Sequence, residues 1–296
     1  MKKHPLVTVN ILSYNRKDEL RNTLTKVFEQ DYKNIEVIVV DNASTDGSGE
    51  MVKKEFPSVQ LIQMEKNIGI AGWNEGFKIA KGEYVLVLDD DAYPERDAIH
   101  LSLNEFNSND SIACITFNLI NVETNEYYKN NWLPQNKTEK TEWPVFVGCA
   151  FMIMKNRLPD SFTFPYHYFI YQHELPMSAE IYIHKRKIMF FPEIKGFHRF
   201  KIKHGYSVFN DKMNFKNTLL FITEYIPYSL VIFYYVQNIL FYFTRSLRHR
   251  WFFSYLRIVF STFPLKFRQK VPLSYFVLLR SKKIFNYSLL SKLSLH

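Results

Sequence analysis

Three consecutive carboxylates follow an apolar run and offer the clearest chemistry in the sequence. Residues 86–88 (Leu-Val-Leu) precede Asp89, Asp90 and Asp91, of which the first and third form an Asp-x-Asp pair. Like charges at the end of a strand repel one another, so stability alone does not favour this arrangement. Mg²⁺ and Mn²⁺ take oxygen ligands and often share them with substrate phosphates. The triplet therefore indicates a site for a divalent cation and a phosphate ester, with a solvated acidic turn as the alternative.

Two other polar segments also follow apolar runs. Ser13-Tyr14-Asn15 comes after the run 7–12, and Asp41-Asn42 comes after the run 35–40. The Asp41 carboxylate is able to accept hydrogen bonds from a nucleotide base or ribose. The Ser, Thr and Asp that follow it also favour a capped turn that binds no ligand. Taken alone, this segment leaves both interpretations open.

Residues 67–76 form a glycine-spaced segment that includes Asn67, Gly72 and Asn74 and leads into a helical pattern. Glycine allows close approach of the backbone to a ligand, and a helix N-terminus favours phosphate. The segment does not follow the first strand and lacks the Gly-x-Gly-x-x-Gly spacing of dinucleotide-binding sites. It also lacks the Gly-Lys-Ser/Thr of a P-loop. It is therefore a candidate phosphate-facing loop of another kind.

The elements that must position these residues alternate along the chain. The apolar patterns predict strands at 7–12, 35–40, 59–63, 84–88 and 112–117, and helices at 17–30, 48–55, 72–80 and 95–106. Further strands are predicted at 145–155 and 187–191, followed by a loop at 192–200. Such alternation predicts an α/β fold with a mostly parallel, Rossmann-like sheet flanked by helices. Ligands bind such sheets at the carboxyl ends of the strands, where the three polar segments fall.

In this order and spacing the four motifs resemble family-2 inverting glycosyltransferases of the GT-A fold, and most closely the bacterial branch of rhamnosyl- and galactofuranosyl-transferase-like enzymes. The resemblance covers roughly residues 5–200. It implies a nucleotide-diphosphate-sugar donor and a divalent cation, Mn²⁺ or Mg²⁺, as cofactor. The implied donor-binding residues are Ser13, Asn15, Asp41, Asn67, Gly72, Asn74, Asp89 and Asp90. The implied metal ligands are Asp89, Asp91 and His198, the last from a Gly-Phe-His segment that resembles the family's downstream histidine.

The segment 169–175 resembles the family's aromatic-then-acidic segment, which carries the catalytic base. Family members commonly have two adjacent acids here and a third two residues later. This chain has His173 before Glu174, and Pro176 in the later place. Glu174 is therefore the expected base, with His173 left open as the alternative. A non-catalytic protein that binds a nucleotide sugar or polysaccharide is the alternative that these departures suggest.

Acceptor-binding residues are predicted between the aspartate triplet 89–91 and the segment 169–175. Trp132 and Trp143 are each able to stack on a sugar ring, although large aromatic side chains more often pack in cores. Gly148 resembles a family glycine beneath the acceptor, and tight packing would explain it nearly as well. The expected acceptor is a hydroxyl of an oligosaccharide or lipid-linked glycan of the bacterial cell surface, as in capsule or O-antigen assembly.

Composition separates a mildly acidic front from a basic, aromatic helical region at 205–296, and the resemblance implies that residues 1–204 are the catalytic domain. Residues 201–296 contain 15 Lys and Arg but only Asp211 and Glu224 as acids, and the whole chain carries a formal charge of +9. Cys114 and Cys149 lie in apolar runs and are expected to be buried thiols. A nucleotidyltransferase would need a basic glycine-rich loop near the N-terminus, which residues 13–16 do not provide.

The basic region is predicted to attach the protein to the cytoplasmic face of the cell membrane. Tyr234, Asn238, Tyr242, Arg245 and His249 recur at helical spacing, which suggests an amphipathic helix lying at an anionic lipid surface. A transmembrane helix within 218–243, a soluble cap and a dimer surface are the alternatives. Nucleic acid is not expected, because long aliphatic runs separate the basic residues. The basic residues expected to meet lipid are Arg245, Arg248, Arg250, Arg257, Lys266, Arg268 and Lys270.

Overall fold

The computed structural model describes residues 4–128, 132–135, 138–199, 206–263 and 270–284. Within these ranges nine strands form one sheet. The strands are β1 (Val7–Ser13), β2 (Ile35–Asp41), β3 (Gln60–Gln63), β4 (Tyr84–Asp89), β5 (Ala92–Pro94), β6 (Ile112–Asn121), β7 (Thr141–Glu142), β8 (Ala150–Met154) and β9 (Lys187–His198). Their order across the sheet is β3-β2-β1-β4-β8-β6-β9-β5, with β7 paired to β9.

The same described ranges contain nine α-helices. They are α1 (Lys17–Phe28), α2 (Ser48–Glu55), α3 (Trp73–Ile79), α4 (Ala98–Ser108), α5 (Glu174–Ile183), α6 (Val208–Tyr225), α7 (Tyr228–Arg248), α8 (Phe252–Thr262) and α9 (Leu273–Ser281). A short 3₁₀ turn, Gly69–Gly72, leads into α3. The alternation of strands and helices predicted for the first half of the chain is confirmed.

The sheet is mixed, which corrects the expectation of a mostly parallel one. Strands β3, β2, β1 and β4 are parallel, and β6 is parallel to β9. Strand β8, however, runs antiparallel to both β4 and β6. No helix of the described chain lies between β6 and β8, and antiparallel neighbours need no helical crossover. The alternating pattern therefore predicts the parallel half of the sheet, β3-β2-β1-β4. It does not predict the mixed half that begins at β8.

Two strands are longer than predicted, and one of them carries a candidate ligand. Strand β6 reaches Asn121 and β9 reaches His198, so the predicted loop at 192–200 is wrong up to that residue. The pairing of the two strands shifts register between Phe190 and Lys195. Pro192 lies in that interval and has no N–H to donate to a ladder, which is why prolines in sheets sit at such irregularities. Phe200 lies outside the described residues.

The sheet is buried on both faces, and the C-terminal helices share one of the two cores. In β4, Val85 and Val87 join a cluster with α3 and α5, whereas Leu86 and Leu88 face a cluster with α1, α2 and α4. The first cluster continues through α6 to α9. The domain boundary at 204/205 stays a prediction, but the hydrophobic core is continuous across it.

The long apolar segment at 218–243 is divided between α6 and α7, which are separated by Ile226 and Pro227. Within the part of the chain that the structure describes, no helix has both the length and the apolar character needed to cross a membrane. The more polar face that the pattern predicts for α7 turns toward the protein interior. Tyr234, Asn238 and Tyr242 are buried, and the apolar side of the helix is exposed.

Candidate functional site

The three polar segments at strand ends meet at one edge of the sheet, as the sequence predicts. Ser13 is paired with Asp41 across β1 and β2, and Leu12 is paired with Asp89 across β1 and β4. The backbone N–H of Asn42 donates to the Ser13 carbonyl at 2.8 Å. These parallel strands therefore bring residues distant in sequence to a single polar edge.

Asp89, Asp91 and His198 form a cluster of potential metal ligands at this edge. Their donor atoms all lie within 4.8 Å of one another. His198 reaches the aspartates because β9 pairs with β5, where Ala92 is opposite His198. The His198 Nε2 atom lies 2.9 Å from Asp91 Oδ1. Two carboxylates and an imidazole are a donor set that fits Mn²⁺, and carboxylates suit Mg²⁺ as well.

Burial and mutual repulsion shift the titration of the aspartates. Burial raises the pKa of Asp89 well above its usual value, and the charges of Asp91 and Asp90 raise it further. Burial raises the pKa of Asp90 to about 6 against the opposing effect of Arg16. Burial also acts on Asp91, but the hydrogen bond and charge of His198, together with Arg16, outweigh it and lower the Asp91 pKa. A divalent cation would relieve the repulsion that raises the first two pKa values.

Three residues that sequence reasoning missed surround the cluster. The Arg16 guanidinium contacts Asp91 and lies 3.3 Å from Asp90 Oδ1. The Tyr128 hydroxyl hydrogen-bonds His198 Nδ1, which orients the imidazole whichever ring nitrogen carries the proton. The backbone N–H of Arg199 donates to the Asp91 carbonyl at 2.9 Å. Arg16 ends Tyr14-Asn15-Arg16, the first of the motifs that carry the family resemblance, although that resemblance assigns it no role. Nothing in the sequence connects Tyr128 to His198.

A cavity of about 680 Å³ opens beside the cluster. Two metal-ligand candidates, Asp89 and His198, line it together with the expected base Glu174. Two of the three predicted acceptor residues, Trp132 and Gly148, line it as well. Its walls include Asp89, Tyr128, Trp132, Gly148, Tyr171, His173, Glu174 and His198. Because its lining contains aromatic rings together with carboxylates and imidazoles, the cavity is suited to a ligand with both ring faces and hydroxyl groups.

Glu174 begins α5 and faces this cavity beside His173. The His173 Nδ1 atom lies 3.5 Å from Glu174 Oε2. Burial lowers the pKa of His173, although the charge of Glu174 opposes the shift. A Cβ atom at Gly148 would lie 2.7 Å from His173 Nε2 and 2.9 Å from Glu174 Oε1. Glycine at 148 therefore allows the backbone to approach both side chains.

Trp143 and Asn74 are not positioned as the sequence suggests. Trp143 is 6% exposed, lies outside the cavity and donates its indole N–H to the Trp132 carbonyl at 2.9 Å. The buried Asn74 amide exchanges two 2.8 Å hydrogen bonds with the backbone of Phe164. Direct contact of Asn74 with a donor would require this pair to break. The partner of Asn74 lies 90 residues away in the sequence, so the motif around Asn74 does not reveal this contact.

The remaining donor-side candidates shape the polar edge through local hydrogen bonds. Asp41 Oδ1 accepts the Ser44 N–H at 2.9 Å, and Asn15 Oδ1 accepts the Thr45 N–H at 2.7 Å. Asn67 Oδ1 accepts from Gly69 at 2.8 Å, which shapes the glycine loop. A Cβ on Gly72 would lie 2.5 Å from Leu12 Cδ1. Their donor-binding roles stay predictions.

Comparison with known proteins places these features in context. The model of the family described as glycosyl transferase family 2 matches residues 8–174, more than half of the chain. Chondroitin synthase from Escherichia coli is 32% identical over 119 residues, which cover 39% of this chain and 17% of that protein. The E. coli protein named UDP-Glc:alpha-D-GlcNAc-diphosphoundecaprenol beta-1,3-glucosyltransferase WfaP is 41% identical over 91 residues, 30% of this chain and 36% of that protein. The matched segment thus spans well under half of these relatives.

Solved structures share the fold. The Pyrobaculum calidifontis mannosyltransferase PcManGT, in complex with GDP-Man and Mn²⁺, has a TM-score of 0.60 at 17% identity and covers 98% of this chain and 83% of its own. S. aureus TarS 1-349 in complex with UDP-GlcNAc has a TM-score of 0.58 at 18% identity, covering 74% of this chain and 65% of its own. At these identities the likeness concerns the fold alone.

Proposed function

The chain belongs to glycosyl transferase family 2, and from this premise we propose that it is a metal-dependent inverting glycosyltransferase. It would move a sugar from a nucleotide-diphosphate donor to an acceptor hydroxyl. One observation carries the proposal. The donor atoms of Asp89, Asp91 and His198 converge within 4.8 Å, and Asp89 and His198 line a cavity that Glu174 also lines. An electrophile held at the cluster and a nucleophile activated by Glu174 would therefore share one space.

The chemistry follows from the roles of these side chains. Asp89, Asp91 and His198 would hold the divalent cation, which when bound neutralises charge on the departing diphosphate. Glu174 accepts a proton from the acceptor hydroxyl, and that oxygen attacks the anomeric carbon opposite the diphosphate. The configuration of this carbon therefore inverts once. General-base assistance contributes about 10²–10⁴-fold in rate, and positioning of the two substrates supplies much of the rest.

The proposed acceptor is a lipid-linked or oligosaccharide hydroxyl of a bacterial surface glycan, such as a capsule or O-antigen. Two observations support it. The name of the WfaP relative specifies a diphosphoundecaprenol-linked acceptor, and the relatives include synthases of chondroitin and poly-beta-1,6-N-acetyl-D-glucosamine. The half-buried Trp132 lines the cavity and offers an aromatic surface for a sugar ring. The rhamnosyl- and galactofuranosyl-transferase-like branch remains a prediction.

We also propose peripheral attachment to the cytoplasmic face of the cell membrane. One exposed apolar stripe runs along α7, and its residues are Ile232, Val236, Leu240, Phe243 and Leu247. The chain contains no acidic residue after Glu224, whereas Arg248, Arg250 and Arg257 are exposed nearby. This combination of apolar and basic surface suits anionic lipid. Release from membranes by high salt, without detergent, would support this attachment.

Not every basic residue of the region is available for lipid. Arg245 makes hydrogen bonds of 2.9 and 3.1 Å with the Asp211 carboxylate. Lys270 lies 4.6 Å from the ring centroid of Tyr228. Lys266 and Arg268 lie outside the described residues. The attachment therefore depends on the α7 stripe and on the exposed arginines close to it.

A second candidate function is a binding protein that holds a nucleotide sugar or polysaccharide without turnover. The specific observation in its favour is the segment around Glu174, where His173 and Pro176 occupy places that are commonly acidic in the resembled family. Transfer or donor hydrolysis that requires a metal and is lost with a chelator would exclude this candidate.

The test of the proposed function uses the full chain and a panel of nucleotide-diphosphate sugars. Mn²⁺-dependent thermal shifts identify the donor, and transfer is then measured with that donor. Asp91→Ala should abolish the Mn²⁺-dependent shift. Glu174→Gln should keep the shift but lower turnover by about 10²–10⁴-fold. The matched control is Glu75→Gln on α3, which removes a carboxylate that pairs with Lys78 at 2.7 Å. Near-normal turnover in both site variants would refute the assignment.

A further inference from the structure

Helix α6 carries a row of asparagines that faces the segment leading into Glu174. Asn210, Asn214 and Asn217 are four and three residues apart, which places them on one side of the helix. The Tyr171 hydroxyl donates to Asn210 Oδ1 at 3.1 Å, and Gln172 Nε2 donates to Asn214 Oδ1 at 3.1 Å. The row therefore contacts consecutive residues of the segment that lines the cavity.

Asn217 makes the buried contacts of this row. Its side-chain Nδ2 donates to the Ile170 carbonyl at 2.8 Å and to the Tyr171 carbonyl at 2.7 Å. The residue is completely buried on the inner face of α6. A single amide group thus satisfies two successive backbone acceptors that have no strand or helix to bond with.

The backbone that Asn217 holds is in an unfavourable conformation. Tyr171 and Gln172 have φ values of +66° and +57°, a left-handed region that side chains with a Cβ rarely adopt. Such a conformation persists where surrounding contacts impose it. On the opposite side of the segment, the Ile70 N–H donates to the Phe169 carbonyl at 3.0 Å. The segment immediately before Glu174 is therefore held between α6 on one side and the glycine loop on the other.

We infer that Asn217 is a positioning residue for Glu174. By holding the Ile170 and Tyr171 carbonyls, it fixes the left-handed turn that directs Glu174 into the cavity. The inference rests on the proposed function, because it gives Glu174 the role of base. It also means that the C-terminal helices belong to the catalytic unit in addition to any role in membrane attachment.

The test compares Asn217→Ala with Asn238→Ala. Asn238 is equally buried, lies on α7 and donates to the Tyr234 carbonyl of its own helix at 2.9 Å. Asn217→Ala should lower kcat by about 10- to 100-fold, the scale of a small misplacement of a catalytic group, while the KM for the donor is unchanged. Hydrogen exchange of peptides covering residues 166–174 should become faster. Asn238→Ala should leave kcat and this exchange at wild-type values.

The outcomes separate this inference from the proposed function. Wild-type kcat and exchange in Asn217→Ala would overturn it, and so would an equal loss of kcat in Asn238→Ala. If Asn217→Ala does not fold, Asn214→Ala on the partly exposed part of the row decides: a smaller loss of kcat with faster exchange supports the inference, and wild-type behaviour overturns it. A wild-type protein that transfers no sugar would refute the proposed function, while the exchange data would still show whether Asn217 holds the segment.

Discussion

Arg16 supplies positive charge to two of the three consecutive aspartates. Its guanidinium contacts Asp91 and lies 3.3 Å from Asp90 Oδ1, while about half of its side chain is exposed. Because it approaches from the solvent side, Arg16 partly offsets the repulsion that a divalent cation would relieve more fully. The negative charge at this edge would therefore be balanced by the Arg16 side chain and by any bound ion together.

Replacing Arg16 should make the protein more dependent on metal. Arg16→Gln is expected to lower the Tm of the metal-free protein by roughly 2–4 °C, corresponding to a loss of about 1 kcal/mol. Added Mn²⁺ should then raise the Tm by more than it does in wild type. Differential scanning fluorimetry with and without Mn²⁺ measures both effects. Arg21→Gln, which breaks ion pairs with Asp18 and Glu55 on the surface, is the control. A Mn²⁺ response equal to that of wild type would contradict the prediction.

Tyr128 illustrates what residue types alone do not reveal. Its hydroxyl bonds to His198 Nδ1, and its ring stacks on the imidazole with centroids 5.6 Å apart. Tyr128→Phe keeps the stacking and removes the hydrogen bond. Partners of this kind typically change metal affinity by about 10- to 100-fold. We expect a loss on that scale in a calorimetric Mn²⁺ titration. Tyr127→Phe, which removes a hydroxyl from the preceding, exposed residue, should bind Mn²⁺ as wild type does; equal affinities in all three proteins would contradict the role of Tyr128.

At the scale of elements, the sequence predicts the parallel half of the sheet but not the mixed half. Apolar runs such as 35–40 mark strands buried on both faces, and polar residues after them mark the functional edge. His198 lies beside Asp89 and Asp91, as expected. The continuation of its strand past residue 191 is not predicted, because Pro192 interrupts the apolar pattern. Likewise, the antiparallel direction of β8 depends on pairing with strands distant in sequence. Local periodicity carries no information about the continuation of β9 past Pro192 or about the direction of β8.

Glu36 connects several elements at the end of the sheet opposite the polar edge. Its carboxylate accepts hydrogen bonds from Thr8 Oγ1 at 2.5 Å, from the Lys81 N–H at 2.6 Å and from Gln60 Nε2 at 3.2 Å. Burial alone would raise the pKa of Glu36, but these hydrogen bonds outweigh it and lower the pKa. A carboxyl whose folded-state pKa is lowered stabilises the fold above its unfolded pKa and loses that contribution as the pH falls.

Glu36→Gln should therefore destabilise the protein in a pH-dependent way. At pH 7 the free energy of unfolding should fall by about 1–2 kcal/mol, the scale of hydrogen bonds to a charged group. As the pH falls below roughly 4, near the ordinary glutamate pKa, the difference from wild type should shrink. Urea denaturation across this pH range measures it. Glu29→Gln, which removes an exposed partner of Lys26, is the control. A difference that does not depend on pH would show that the charge of Glu36 is not involved.

At the scale of the whole molecule, the C-terminal helices have a buried inner side and an exposed outer side. The inner side shares a core with the sheet and holds the segment before Glu174 through α6. The outer side of α7 exposes apolar residues that the sequence pattern placed correctly on one face. The pattern could not reveal that the polar-aromatic face turns inward, because that choice depends on packing against α6 and α8. The region is thus suited to place the cavity near a lipid surface.

The exposed stripe of α7 should determine binding to anionic vesicles. Leu240 is 54% exposed at the centre of the stripe. Leu240→Glu removes the transfer of a leucine side chain into lipid, worth about 1.5–3 kcal/mol, and adds a repelled charge. Sedimentation with vesicles of phosphatidylglycerol and phosphatidylcholine should show partitioning reduced by at least about tenfold. Ile79→Glu on α3, where the isoleucine is 41% exposed, is the matched control and should bind as wild type does. Binding that survives Leu240→Glu, or that is lost equally in Ile79→Glu, would exclude the α7 stripe as the lipid-binding surface.

The same variant should affect transfer only when the acceptor is in a membrane. The segment before Glu174 is held by α6 and not by the exposed side of α7, which carries Leu240. Leu240→Glu should therefore leave transfer to a water-soluble acceptor unchanged while lowering transfer to an acceptor embedded in vesicles.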